Sequence, residues 1–353
     1  MLVFSHGLGG SCHTYSHLLG SLASCGVVCI APEHRDQSAP VSIIRHADGS
    51  RKSVRYKRLS HDSNPEVLRG RNTQLRIRLW ELELLYTALG SLNKGQDLKN
   101  LADGGVPNLT EKLDLRPSKV TWVGHSFGAA SVVQFVKSVF WHQTVPIANG
   151  ESRSRSLFEA LYVPAENAAL KEQITADSPI VLLDLWTMPL RGDATLWLWE
   201  KPLPCYAAGA SPKQNVLAIM SEEFHKWTTL LDRVKAVLSN TPAEQEQSKE
   251  LGGASSDGPR RFYAPKTAHL SHSDFGVLFP WATRKWLHAE EPERTLLLNT
   301  RAILQLLREN QISVESMKLE ENAGADAPTL NDPLILAQHG NIQGWVPVGI
   351  DQR

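Results

Sequence analysis

The five residues Gly124-His125-Ser126-Phe127-Gly128 stand between an apolar run, Val120, Trp122 and Val123, and a small-residue helical pattern from Ala129 to Val139. Strand, sharp turn and helix in that order put a serine at the apex of an elbow, and few folds can hold one. A serine on so tight a turn sits in a strained backbone conformation. Side chains two residues before and after it would strike the adjoining helix and strand, so both Gly124 and Gly128 are required. Ser126 Oγ is then expected to project from the carboxyl edge of a sheet at a helix N-terminus, whose N–H groups favour developing negative charge. The bland alternative is a strand-to-helix turn carrying an unreactive serine. The strand before it and the helix after it favour the nucleophile.

The rest of the chain supplies the sheet that such an elbow needs. Met1 to Phe4 read as a buried strand entering the glycine turn His6-Gly7-Leu8-Gly9-Gly10. Tyr15 to Ala23 pattern as a helix with Leu18, Leu19 and Leu22 on one face, and Val27 to Ala31 as an apolar strand of the kind parallel sheets bury on both faces. Strand, helix and strand so closely spaced imply a right-handed crossover. Ser42 to Tyr56 read as a hairpin around Asp48-Gly49, and the basic residues Arg51, Lys52, Arg55, Lys57 and Arg58 suit a solvated edge. Arg71 to Leu89 is a long helix with leucines at three- and four-residue spacing. Ile180 to Leu183 and Asn215 to Met220 are further strands, Glu222 to Leu238 a helix, Arg261 to Ala264 a last short strand and Thr295 to Arg308 a terminal helix.

The expectation is a mostly parallel α/β sheet with helices on both faces, in one domain over residues 1–315. Residues 140–178 form a candidate lid insert, 240–258 a flexible loop and 316–353 an irregular C-terminal extension. A domain rarely opens inside its core, so the chain is expected to lack N-terminal strands and to leave Met1 to Phe4 at an exposed sheet edge.

Composition narrows the function classes. Among 353 residues, Lys plus Arg and Asp plus Glu both number 37, so no global field draws the protein to nucleic acid or anionic membrane. The cysteines Cys12, Cys25, Cys29 and Cys205 include no C-x-x-C pair, which argues against a zinc or disulfide framework. There is no apolar stretch long enough to span a bilayer and no basic-then-apolar leader, so a cytoplasmic location is expected.

Several strands end in loops bearing a polar residue, which is where open α/β sheets build their sites. The chain order serine, acid, histidine matches the hydrolase elbow scheme as Ser126, Asp184 and a histidine in the loop after the last strand. Asp177 precedes its strand and Asp193 lies beyond it, so Asp184 is favoured by placement. Position hardly separates His269 from His272 as the base. The oxyanion donors are the backbone N–H of Phe127, after the nucleophile, and of Leu8 in the glycine loop. That loop has no Lys-Ser/Thr ending for phosphate, and no cofactor or metal is called for.

With these residues in place, the chain resembles the serine-dependent platelet-activating factor acetylhydrolases, the plasma and related intracellular phospholipase A2 family with its fungal members. The matching pieces are Ser5-His6-Gly7-Leu8-Gly9, Ala31-Pro32-Glu33-His34-Arg35-Asp36, Gly124-His125-Ser126-Phe127-Gly128-Ala129-Ala130, Leu183-Asp184-Leu185-Trp186-Thr187-Met188-Pro189-Leu190, and Ala268-His269 followed by Ser273-Asp274-Phe275. The resemblance implies an α/β-hydrolase that cleaves the sn-2 acetyl or short, oxidised acyl group of glycerophospholipids without calcium. It puts the nucleophile on Ser126, the acid on Asp184 and the base on His269, five residues before Asp274, rather than on His272. Its oxyanion donors fall on Leu8 and Phe127. The implied partner is a phospholipid, met at a lipid surface, with Phe158, Leu161, Tyr162 and Leu196-Trp197-Leu198-Trp199 as candidate interfacial groups. A general carboxylesterase acting on soluble esters and an inactive hydrolase-fold protein are the alternative readings.

Overall fold

The computed structural model describes residues 1–102, 104–145, 160–207, 214–243, 260–315, 317, 333–337 and 342–348. The chain enters on β1 (Leu2–Ser5), crosses through α1 (Ser16–Ser24) and returns on β2 (Cys29–Ile30). A separate antiparallel hairpin, β3 (Val41–Arg45) and β4 (Arg51–Arg55), turns through Asp48 and Gly49, the latter at a φ of 85°. Helix α2 (Pro65–Asn93) starts earlier than its leucine spacing indicates. Asn64 accepts a hydrogen bond from the Val67 N–H and Pro65 occupies the first turn, the usual devices of a helix start. There follow β5 (Thr121–His125), α3 (Phe127–Phe140), the single turn α4 (Leu170–Gln173), β6 (Ile180–Leu183), α5 (Asp193–Trp199) and β7 (Val216–Ser221). Then come α6 (Glu222–Lys226), α7 (Thr228–Val237), β8 (Arg260–Ala264), α8 (Phe275–Leu278), α9 (Pro280–Leu287), α10 (Pro292–Glu309) and β9 (Val346–Pro347).

The main sheet runs β2-β1-β5-β6-β7-β8-β9, parallel throughout except for β9, which pairs antiparallel with β8. Side chains alternate between two packed faces. Val3, Trp122 and Leu182 pack with α2 and α3, whereas Leu2, Phe4, Val123 and Leu183 pack with α1 and α10. Parallel order, helices on both faces and the elbow between β5 and α3 make this an α/β-hydrolase fold. The registers Ser5 with Gly124, His125 with Leu183, Leu183 with Ile219, and Ser221 with Ala264 bring five strand ends to one edge. Loops leaving that edge converge on Ser126.

Three expectations change. β1 is paired on both sides and its Leu2, Val3 and Phe4 are buried, so the exposed edge belongs to the shorter, half-buried β2 and not to Met1 to Phe4. The helix expected over Glu222 to Leu238 is broken at Trp227, whose ψ of 86° cannot continue an α-helix. Described parts of the 316–353 extension join the domain: β9 lengthens the sheet, and buried Trp345 stacks on Phe262 at 5.2 Å. Phe158 and most of the 240–258 loop lie outside the described residues.

Candidate active site

Ser126 sits at φ 57° and ψ −115°, a conformation a β-carbon resists, and its N–H donates to the Leu183 carbonyl at 2.9 Å. A β-carbon on Gly128 would run into the Ser5 carbonyl, and one on Gly124 into the Gly128 backbone, so the two glycines are what let β1, β5 and α3 meet. Ser126 occupies the N-cap position of α3 yet makes no capping bond, and its Oγ has no hydrogen-bond partner among the described residues. At this site a serine that could serve as a cap is left free.

Asp184 follows β6 with a φ of 43° and is completely buried. Its carboxylate accepts from the Ser221 N–H (2.6 Å), from the Ser221 hydroxyl (2.7 Å) and from His269 Nδ1 (2.9 Å). Burial alone would raise its pKa. The nearby His272 ring and the hydrogen bond from His269 outweigh that and hold the carboxyl far below the usual range. An ionised partner accepts only, so His269 carries its proton on Nδ1 and presents Nε2 as a basic atom. The ring lies flat on Phe224, with centroids 4.4 Å apart, and the His269 N–H donates to Glu223 at 2.9 Å. His272 Nε2 lies 3.6 Å from the other Asp184 oxygen, beyond hydrogen bonding, while its Nδ1 faces Asn299 at 3.0 Å. His272 is fully buried, whereas the His269 side chain is 28% exposed, so of the two only His269 can meet a ligand.

The glycine loop after β1 presses on the elbow: a β-carbon at Gly7 would come within 3.3 Å of the Ser126 β-carbon. The N–H groups of Leu8 and Phe127 have no acceptor among the described residues. Behind them, buried Arg78 donates to the His6 carbonyl (2.7 Å), pairs with Asp36 (2.7 Å) and stacks over the Phe127 ring at 4.5 Å. That is what the stretch Pro32 to Asp36 does in three dimensions. Ser5, His34 and Glu81 also form a serine-histidine-acid chain, at 2.9 and 2.8 Å, but Ser5 and His34 have no exposure and an ester cannot reach them.

Ring and carboxylate atoms of His125, Asp184 and His269 lie within 4.8 Å of one another, the one metal-compatible grouping among the described residues. Those atoms are already engaged: His125 binds Tyr15 and the His269 carbonyl, and Asp184 binds His269. The chemistry on offer is a carboxylate-oriented imidazole, a serine hydroxyl with no hydrogen bond to His269 among the described residues, and two backbone N–H groups free to meet negative charge.

Sequence reasoning missed Ser221, Tyr15, His125 and Phe224. Ser221 carries a signal, since it precedes Glu222-Glu223 at a helix start and does cap α6 through its bond from the Phe224 N–H (3.3 Å). Its second bond, to Asp184, has no local signature. Of the expected interfacial groups, Leu161, Tyr162, Leu198 and Trp199 are buried, Trp197 is half-buried and Leu196 is exposed. A different face is exposed: Leu278, Phe279, Trp281 and Trp286 stand 67%, 53%, 65% and 65% accessible on α8 and α9.

The family model for platelet-activating factor acetylhydrolase, isoform II, matches residues 1–330. A Schizosaccharomyces pombe protein named "Putative phospholipase A2" is 27% identical over 368 residues, covering 98% of this chain and 72% of that protein. The platelet-activating factor acetylhydrolase of Cavia porcellus is 35% identical over 138 residues, covering 38% of this chain and 31% of the enzyme. That of Bos taurus is 35% identical over 141 residues, with the same 38% and 31% coverage. The alignments with the two mammalian enzymes thus span less than a third of their length.

Proposed function

The chain belongs to the platelet-activating factor acetylhydrolase, isoform II, family, and on that premise we propose that it is a serine esterase cleaving the sn-2 acetyl or short, oxidised acyl ester of glycerophospholipids. The observation that carries the reading is a serine with an uncommitted hydroxyl at a strained elbow, on the same sheet edge as a histidine oriented by a buried carboxylate. Ser126 Oγ attacks the ester carbonyl while His269 Nε2 accepts its proton. The oxyanion that forms is met by the N–H groups of Leu8 and Phe127, and His269 returns the proton to the leaving lysophospholipid oxygen. Water then repeats the cycle on the acetyl-enzyme. Asp184 keeps the imidazole in the Nδ1–H tautomer and stabilises its cation.

Contact with a lipid surface is favoured by the exposed face of α8 and α9. These helices leave the loop that carries His269, and their aromatic residues adjoin Arg284 and Lys285, the latter with Nζ 4.8 Å from the Trp281 ring. Tryptophan flanked by cations suits the boundary between acyl chains and phosphate headgroups.

Hydrolysis of phosphatidylcholines that differ only at sn-2 tests the substrate. Acetyl and short oxidised chains should be cleaved at least about 10-fold faster in kcat/KM than palmitoyl chains, the difference one pocket of limited depth commonly makes. Faster cleavage of the long-chain lipid would overturn the assignment. Equal rates on phospholipid and p-nitrophenyl acetate would favour a general carboxylesterase.

A further inference from the structure

We propose that His125 and Tyr15 form a hydrogen-bonded strap that fixes the glycine loop against the elbow and the His269 loop, making both of them positioning residues for the Leu8 N–H. The role in turnover rests on the ester cleavage argued above; the strap itself rests on hydrogen-bond directions that the partners force. The Gly7 N–H can only donate, and it donates to the Tyr15 hydroxyl at 3.0 Å. The His269 carbonyl can only accept, so His125 carries its proton on Nε2 and donates it there at 3.1 Å. The neutral ring then leaves Nδ1 to accept, and it takes the single Tyr15 proton at 2.9 Å. Each donor meets one acceptor along a single line. That line joins the loop after β1, the start of α1, the end of β5 and the loop after β8.

The strap holds one side of Gly7, and His6 holds the other. The Gly7 carbonyl accepts from His6 Nδ1 at 2.9 Å and from the Gly10 N–H at 3.3 Å, while His6 Nε2 accepts the His34 N–H at 3.3 Å. A trans peptide points its N–H opposite to its C=O. Pinning the Gly7 carbonyl therefore aims the Leu8 N–H, and pinning the Gly7 N–H stops the loop from pivoting about its α-carbon.

Tyr15 and His125 are 2% and 3% exposed and lie in a file of rings: Phe4 to Tyr15 at 4.4 Å, Tyr15 to His125 at 5.6 Å and His125 to His269 at 4.5 Å. Burial, then the nearby His269 and His272, hold the His125 imidazole well below its ordinary pKa, so it stays neutral. A cationic His125 would put a proton on Nδ1, and the Tyr15 proton would lose its acceptor. Nothing in the nucleophile, the acid or the base requires a histidine before the serine; this line of bonds does.

The test is Tyr15→Phe, which removes one oxygen and keeps the ring. Its control is Tyr86→Phe, which removes another buried hydroxyl bond, to the Leu115 carbonyl at 3.2 Å, far from the elbow. Deleting an oxyanion donor outright costs about 100- to 1,000-fold, so a donor that has only lost its aim should cost roughly 10- to 100-fold in kcat, with KM changed less than about 2-fold. Sulfur is a weaker acceptor than oxygen. The preference for p-nitrophenyl acetate over its thiono analogue should therefore fall in Tyr15→Phe and stay unchanged in Tyr86→Phe.

Nitrogen-15 NMR of the histidine rings reads the strap without turnover. His125 should remain the neutral Nε2–H tautomer from about pH 5 to pH 8, the range in which a free imidazole titrates, and should lose that single state in Tyr15→Phe. An Nδ1–H tautomer, or a kcat in Tyr15→Phe within about 2-fold of the unaltered protein, would overturn the proposal. Absence of esterase activity in the unaltered protein would instead overturn the proposed function, and the strap would then stand or fall on the tautomer.

Discussion

Lys137 sits in α3 behind the nucleophile, 1% exposed, with its Nζ donating to the Leu198 carbonyl at 3.1 Å. Burial pulls its pKa down from 10.5 to about 7. Between those two values the unfolded chain binds a proton that the folded chain does not, so this residue makes stability rise with pH from about 7 to 10.5 and leaves it flat below. Lys137→Met should therefore stabilise the protein at pH 7 by about 2–4 kcal/mol, with an advantage that shrinks toward pH 10. Urea unfolding at both pH values checks this, and an equal gain at each would contradict it. At this same scale the sequence was informative where a residue ends a strand. Ser126 and Asp184 each follow an apolar run, and their placement was readable. Position alone does not choose between His269 and His272, which only the family resemblance separates, because the choice depends on a contact 85 residues away: His269 at 2.9 Å from Asp184 and His272 at 3.6 Å. Ser221, Tyr15 and His125 were missed for the same reason. Their partners are chosen by sheet register rather than by any neighbour in the chain.

Elements with one long apolar period were legible, and short ones were not. The leucine faces of α1, α2 and α10 fall where the spacing puts them, but α8 and α9 are four and eight residues long and are separated by Phe279, with Pro280 opening the second. No periodicity emerges from segments so short, and the exposed Trp281 and Trp286 look like any other tryptophans. Of the pair Trp197 and Trp199 that the sequence points to, Trp197 is half-buried and Trp199 buried, with the Arg191 guanidinium 4.8 Å from its ring. Replacing Trp281 and Trp286 together by Ala should lower the rate on phospholipid dispersions by about 10-fold or more, since each indole that leaves an interface gives up on the order of 1 kcal/mol or more. The rate on dissolved p-nitrophenyl acetate should change little. Equal losses on both substrates would make this face structural.

Across the whole molecule, strand order decides function by bringing the ends of β1, β5, β6, β7 and β8 to one edge. β1 leads to the glycine loop, β5 to Ser126, β6 to Asp184, β7 to Ser221, which holds it, and β8 to His269. The equal counts of acidic and basic side chains leave no long-range field, so the proposed lipid contact has to rest on the local face of α8 and α9. No helix among the described residues is long and apolar enough to cross a membrane. The account turns on Ser126 being an activated nucleophile, and the most direct measurement of that is intact-protein mass spectrometry after brief exposure to a fluorophosphonate. The protein should gain one adduct, on the peptide bearing Ser126. Labelling should vanish in Ser126→Ala, slow by at least about 1,000-fold in His269→Ala and slow far less in His272→Ala. No adduct, or an adduct that persists in Ser126→Ala, would contradict the account.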